Sequence, residues 1–128
     1  MMRRIIVLLA LCAVVFLGCT ENVAKQVSVA EFENLMSEES SIQIIDVRTP
    51  NEYAQGYIKN SQLMNFNSAD FKTQITTLDK NKPVAVYCHS GARSNQAFEI
   101  MKEMGFRQIY ELQGGMVAWQ QNGKQVLK

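Results

Sequence analysis

Cys88 is followed by His89, Ser90, Gly91, Ala92 and Arg93, and in this stretch side chains of chemical use stand closest together. Pro83-Val84-Ala85-Val86-Tyr87 precedes it as a continuous apolar run of strand length, and Ser94 to Met104 follows with helical periodicity. A thiol attacks as its thiolate, which is scarce near neutrality for a free cysteine with a pKa of about 8.5. An immediately following helix offers unpaired amides and a partial positive charge. Loop amides turned inward would form an anion nest around the sulfur, and Gly91 permits the tight path such a loop requires. Arg93 adds a permanent charge and a planar fork suited to an oxyanion. Cys88 is therefore expected to be a nucleophile held as thiolate. The bland alternative is a turn with a buried cysteine acting as a small hydrophobe. His89 is the single histidine. Adjacent side chains in an extended loop diverge, so it reads as solvent-facing and not as a base for Cys88.

The remaining residues narrow the chemistry. No Cys-x-x-Cys occurs, so dithiol exchange lacks its resolving thiol. One histidine and three scattered cysteines make no zinc ligand set, and no metal or organic cofactor is expected. A net charge of +1 gives no basic surface for nucleic acid.

Two of the cysteines belong to the first stretch of the chain. Arg3 and Arg4 precede an uncharged run, Ile5 to Gly18, that ends at Cys19. The run is shorter than the roughly 20 apolar residues of a spanning helix and fits a secretory signal. Phe16-Leu17-Gly18-Cys19 resembles a bacterial lipobox, although Phe16 stands where Leu, Val or Ile is usual. Residues 1–18 are thus expected to be a signal peptide, Cys19 the lipidated residue, 19–25 a polar tether and 26–128 one domain. A plain signal peptide or an uncleaved anchor is the alternative. The expected location is a bacterial membrane, facing the periplasm, which leaves Cys88 as the one thiol free for chemistry. Without Arg3 and Arg4 the chain carries 11 basic against 12 acidic side chains, so attraction to anionic lipid is a poor substitute for the anchor.

The elements that must position Cys88 alternate. Ser28-Val29-Ala30-Glu31 is a capping box before a short amphipathic helix. Ile42 to Asp46 is a β-branched strand run. Thr49-Pro50-Asn51-Glu52 is a second capping box with proline at the first helical position, and Gly56 closes that helix. Leu63 to Phe66 is a weak strand, and Ser68 can cap a helix carrying Phe71, Ile75 and Leu78. Beyond Met104 come Gly105 as a helix stop, a strand from Gln108 to Leu112, the Gly114-Gly115 turn and a short helix with Trp119. The order predicts an α/β fold, a mainly parallel sheet with helices on both faces, and ligands bind such sheets beyond the carboxyl ends of the strands.

Over about residues 26 to 122 the chain resembles the single-domain members of the rhodanese-like family. Ile44-Ile45-Asp46-Val47-Arg48 with Glu52-Tyr53, then Gly56-Tyr57-Ile58-Lys59-Asn60-Ser61, resemble two of its segments. Tyr87-Cys88-His89-Ser90-Gly91-Ala92-Arg93-Ser94 resembles its active loop, and Gly105-Phe106, Leu112-Gln113-Gly114-Gly115 and Trp119 its closing motifs. Tyr57 and Ser61 depart from the common His and Ala. The resemblance implies a five-stranded, mainly parallel sheet and sulfurtransferase chemistry. Cys88 would take the outer sulfur of a small donor such as thiosulfate and pass it from a persulfide to a thiol or cyanide. The amides of His89 to Arg93 would stabilise the anionic sulfur, and Arg93 would help hold the donor's sulfonate. Arg48 would line the rim or, equally, pair with Glu52 or another carboxylate; Asp46 reads as structural.

Two other classes compete. Phosphatases and arsenate reductases on related folds use a longer loop around a tetrahedral oxyanion, whereas four residues lie between Cys88 and Arg93 here. A non-catalytic binding module would have no need of Cys88.

Overall fold

Apolar residues at consecutive positions, without polar alternation, build the inner strands. The computed structural model describes residues 21–128; the signal peptide expected at 1–18 and the lipidation expected at Cys19 lie outside them. Ten elements alternate: β1 (Val23–Val27), α1 (Val29–Glu38), β2 (Gln43–Asp46), α2 (Pro50–Ala54), β3 (Ser61–Leu63), α3 (Phe71–Ile75), β4 (Val84–Tyr87), α4 (Ala92–Glu103), β5 (Gln108–Leu112) and α5 (Gly115–Gln121). The five strands form one sheet in the order β1-β5-β4-β2-β3, and every pair is parallel.

Side chains alternate across a strand, so β4 feeds two cores. Val84, Val86 and Cys88 enter one, with Phe71 and Ile75 of α3 and Met101 of α4. Ala85 and Tyr87 enter the other, with Phe32 of α1 and Met116 and Trp119 of α5. Both faces are covered, as a parallel sheet requires.

Local signals place the helix starts. Ser28 Oγ accepts the Glu31 amide at α1. Thr49 and Glu52 complete a reciprocal capping box at α2, with Pro50 at its first position. At α3 the expected Ser68 cap does not form: Asp70 is the N-cap residue before Phe71, no side chain caps the helix, and the Ser68 hydroxyl donates to the Asp70 carboxylate instead. α4 begins at Ala92, two residues before the periodicity indicated.

The expected tether is corrected. Val23, Ala24 and Lys25 are not linker but the first half of β1, in register with Gln108, Ile109 and Tyr110 of β5. β1 lies at the sheet edge and buries only Val27 fully. Main-chain bonds hold it, from Val23 N to Arg107 O (2.8 Å) to Gln113 N to Val27 O (2.9 Å), and main-chain pairing leaves little trace in hydropathy. The weak strand also moves: β3 covers Ser61–Leu63, and its pairing continues through Met64 N to Asp46 O at 2.8 Å.

Candidate active site

The carboxyl end of β4, the central strand, delivers Cys88 to the rim of the sheet, where α4 begins. The side chain is 1% exposed. The Gly91 amide donates to its sulfur at 3.1 Å, and Ser94 Oγ lies 3.3 Å from it. Gly91 turns the chain with φ +120°, a region open to glycine. Of the loop amides expected to form a nest, Gly91's is the one that donates to the sulfur.

α5 holds the loop from behind. Its first amides take the loop's carbonyls, Met116 N to Cys88 O at 2.9 Å and Val117 N to His89 O at 3.0 Å. Gly115 makes this approach possible: a Cβ there would lie 2.5 Å from Cys88 O and 2.7 Å from His89 O. The Gly114-Gly115 pair is therefore more than a turn, since it lets α5 touch the loop that carries Cys88.

His89 is exposed and makes no hydrogen bond to Cys88. It lines a cleft of about 230 Å³ with Arg48, Glu52, Gln55, Met116 and Gln120. Ser90, Gly91 and Ala92 face a second cleft, with Gln26, Glu111 and Gln113.

Both arginines are committed to carboxylates. Arg93 donates from Nη1 and Nη2 to the two oxygens of Glu52, at 2.7 and 2.9 Å. This bond, with help from Thr49 and against partial burial, draws the Glu52 carboxyl down to about 2. The Glu52 bond in turn holds Arg93 above its ordinary value. The fork expected to face a donor's sulfonate thus faces Glu52 instead. Arg48 is 4% exposed. Its Nε and Nη2 meet Asp46 at 3.0 and 2.7 Å, and Nη2 also donates to Gly56 O at 2.6 Å. The carboxylate partner of Arg48 is Asp46, not Glu52, and its role at the rim is to brace the turn after β2.

The two departures from the family pattern have local uses. Tyr57 stacks on Tyr53 at 4.4 Å, and Ser61 Oγ accepts from the buried Tyr87 hydroxyl at 3.1 Å.

Sequence reasoning missed Ser94 and Glu111. Ser94 is fully buried, with its hydroxyl between Cys88 and Glu111 Oε1, the latter at 2.9 Å. Glu111 is 1% exposed in the apolar strand β5, and Gln26 Nε2 of β1 donates to its Oε2 at 3.2 Å. The signal was present: an acid inside Ile109-Tyr110-Glu111-Leu112 is costly to bury unless something meets it. Among the described residues, no group of three or more His, Cys, Asp or Glu side chains could hold a metal ion, and no helix is long and apolar enough to cross a membrane.

Residues 28–122 match the family model of the rhodanese-like domain. A sulfurtransferase of Allochromatium vinosum is 31% identical over 88 residues, 69% of this chain and 80% of that protein. The thiosulfate sulfurtransferase GlpE of Shewanella oneidensis is 34% identical over 84 residues, 66% of this chain and 81% of that protein. Among solved structures, the polysulfide-sulfur transferase homodimer of Wolinella succinogenes superposes with a TM-score of 0.68 at 33% identity, covering 80% of this chain and 77% of that one.

Proposed function

The chain belongs to the rhodanese-like domain family, and on that premise we propose that it transfers sulfane sulfur through a persulfide on Cys88. The observation that carries the reading is the Cys88 sulfur itself, at the carboxyl end of the central strand with the Gly91 amide on it at 3.1 Å. In the first half-reaction the Cys88 thiolate attacks the outer sulfur of the donor. A new S–S bond forms, the donor's S–S bond breaks, and its electron pair leaves with sulfite or a thiolate. In the second, a thiolate or cyanide takes the outer sulfur and the Cys88 thiolate returns. His89 and the cleft beside it form the approach. The donor is thiosulfate or a persulfide, and the paired state of Arg93 and Arg48 favours a persulfide over a sulfonate. The acceptor is a thiol or cyanide.

Intact mass spectrometry after incubation with thiosulfate or a polysulfide tests this. One added sulfur on the peptide carrying Cys88 is expected, and none after Cys88→Ser. Cys88-dependent hydrolysis of an aryl phosphate, with no sulfur transfer from any donor, would overturn it.

The location belongs to the same proposal: an exported protein held on a bacterial membrane by lipid at Cys19, facing the periplasm. Its support is Phe16-Leu17-Gly18-Cys19 after an uncharged run. Cys19→Ser should block processing and release the protein from membranes. Unchanged cleavage and unchanged membrane binding would refute the anchor.

A further inference from the structure

Among the described residues two carboxylates are fully buried, Asp46 and Glu111. Asp46 has the Arg48 guanidinium on it. Glu111 has only neutral partners, the Ser94 hydroxyl and the Gln26 amide, and neither half-reaction of sulfur transfer needs it. It nevertheless stands in line with the reacting sulfur: Cys88 Sγ lies 3.3 Å from Ser94 Oγ, which lies 2.9 Å from Glu111 Oε1.

The one Ser94 hydroxyl proton also has Gly91 O within reach at 3.3 Å, but the nearer Glu111 oxygen at 2.9 Å competes for it, and along this line it gives two arrangements. In the first, the Cys88 thiol donates to Ser94 and Ser94 donates to the Glu111 carboxylate. In the second, the Glu111 carboxylic acid donates to Ser94 and Ser94 donates to the Cys88 thiolate. Passing between them breaks the S–H bond as its proton moves to Oγ, while the Oγ proton moves to Oε1. The electron pair stays on sulfur, Ser94 ends as it began, and the charge moves from carboxylate to sulfur.

We propose that Glu111 is a positioning residue for Cys88, receiving the thiol proton through Ser94 and returning the Ser94 hydroxyl to the sulfur as a donor. The inference rests on the reading of Cys88 as the reacting group. Gly91 N–H is already on the sulfur at 3.1 Å to receive the negative charge. Burial raises the proton affinity of Glu111, against the bonds from Ser94 and Gln26, and Glu99 of the same helix α4 adds to the rise. The groups facing the line are Gln26 from β1, Ser94 and Glu99 from α4, and Arg93, whose positive charge feels Cys88. No base beside Cys88 is then needed, and His89 is left free in the cleft.

The test measures alkylation of Cys88 by iodoacetamide in the full-length chain, followed on its peptide by mass spectrometry. It does not depend on any sulfur donor, so failure here is distinct from failure of the sulfurtransferase reading. Glu111→Gln and Ser94→Ala should each slow alkylation about tenfold near about pH 6 and change it less than about twofold near about pH 9. The double variant should be no slower than either single one, as for two members of one line, and Ser94→Thr, which keeps the hydroxyl, should recover the rate. Equal slowing at every pH would mean a structural role and overturn the proposal. A second measurement keeps Glu111 itself: the side-chain carboxyl carbon of Glu111 is followed by NMR against pH, with and without Cys88→Ala. A shared proton makes the two groups titrate as a pair, so two steps should become one in the variant. An identical curve in both proteins overturns the proposal.

Discussion

Arg93 grips both carboxylate oxygens of Glu52, at 2.7 and 2.9 Å, across 41 residues of sequence. The pair ties the start of α4, which follows the Cys88 loop, to the capping box of α2. It also occupies the guanidinium expected from the sequence to hold a donor's sulfonate.

Glu52→Gln should therefore improve the use of thiosulfate. Glutamine keeps the capping box and removes the anion that occupies Arg93. The KM for thiosulfate should fall about threefold to tenfold, about 1 kcal/mol, with a smaller change for an uncharged persulfide donor. Steady-state kinetics with both donors decides it; a rise in thiosulfate KM would show that Arg93 works only while paired.

The same pair sets a pH dependence. Glu52 titrates at about 2 in the folded chain against 4.5 as its ordinary value. The stabilisation is thus complete above the ordinary value and fades as pH falls toward about 2. The partly solvent-screened pair is worth about 1 kcal/mol. Urea unfolding should show wild type ahead of Glu52→Gln by a constant margin between about pH 5 and 8, closing below about pH 4.5.

Glu111 has the opposite sign. Burial raises its folded value, so stability is lost as pH rises through its ordinary value to its folded one. Glu111→Gln avoids that loss. Its advantage in urea midpoint over wild type should grow with pH and then level off, even as Cys88 becomes less reactive. A variant less stable than wild type at all pH values would contradict this.

Gly115→Ala should damage both stability and activity. The added Cβ meets Cys88 O and His89 O at 2.5 and 2.7 Å, on a backbone with φ +55°. A loss of about 2–4 kcal/mol is expected, with sulfur transfer reduced more than the population of folded protein explains. Circular dichroism melts beside activity at a temperature where the variant is folded would separate the two effects.

Much of this was legible beforehand because the signals were local. The capping box at Thr49-Glu52 and the apolar run at Val84–Tyr87 each depend on a few adjacent residues, and both formed where expected. The partners of Arg48 and Arg93 were less legible. Asp46 and Glu52 are both near Arg48 in sequence, and only the direction of the turn after β2 gives Asp46 to Arg48 and Glu52 to Arg93. β1 was invisible because an edge strand with Ala24, Lys25 and Gln26 exposed carries no hydrophobic pattern. Ser94 and Glu111 were missed for a related reason: their partnership exists only once β5 lies beside β4 and α4 crosses both.

Among the described residues β1 bonds to no strand but β5, and Gln26 meets Glu111 across 85 residues of sequence. As the chain emerges N-terminus first, from a ribosome or from an export channel, the first described strand has no partner until β5 has emerged, and the sheet closes late. α5, which braces Cys88 and His89, emerges later still. A chain that has emerged only as far as α4 therefore carries Cys88 without its brace, without Gln26 on Glu111, and without a finished cleft. Contacts this distant in sequence also slow folding. The surroundings of Cys88 are thus completed only after β5 and α5 have joined the elements made before them.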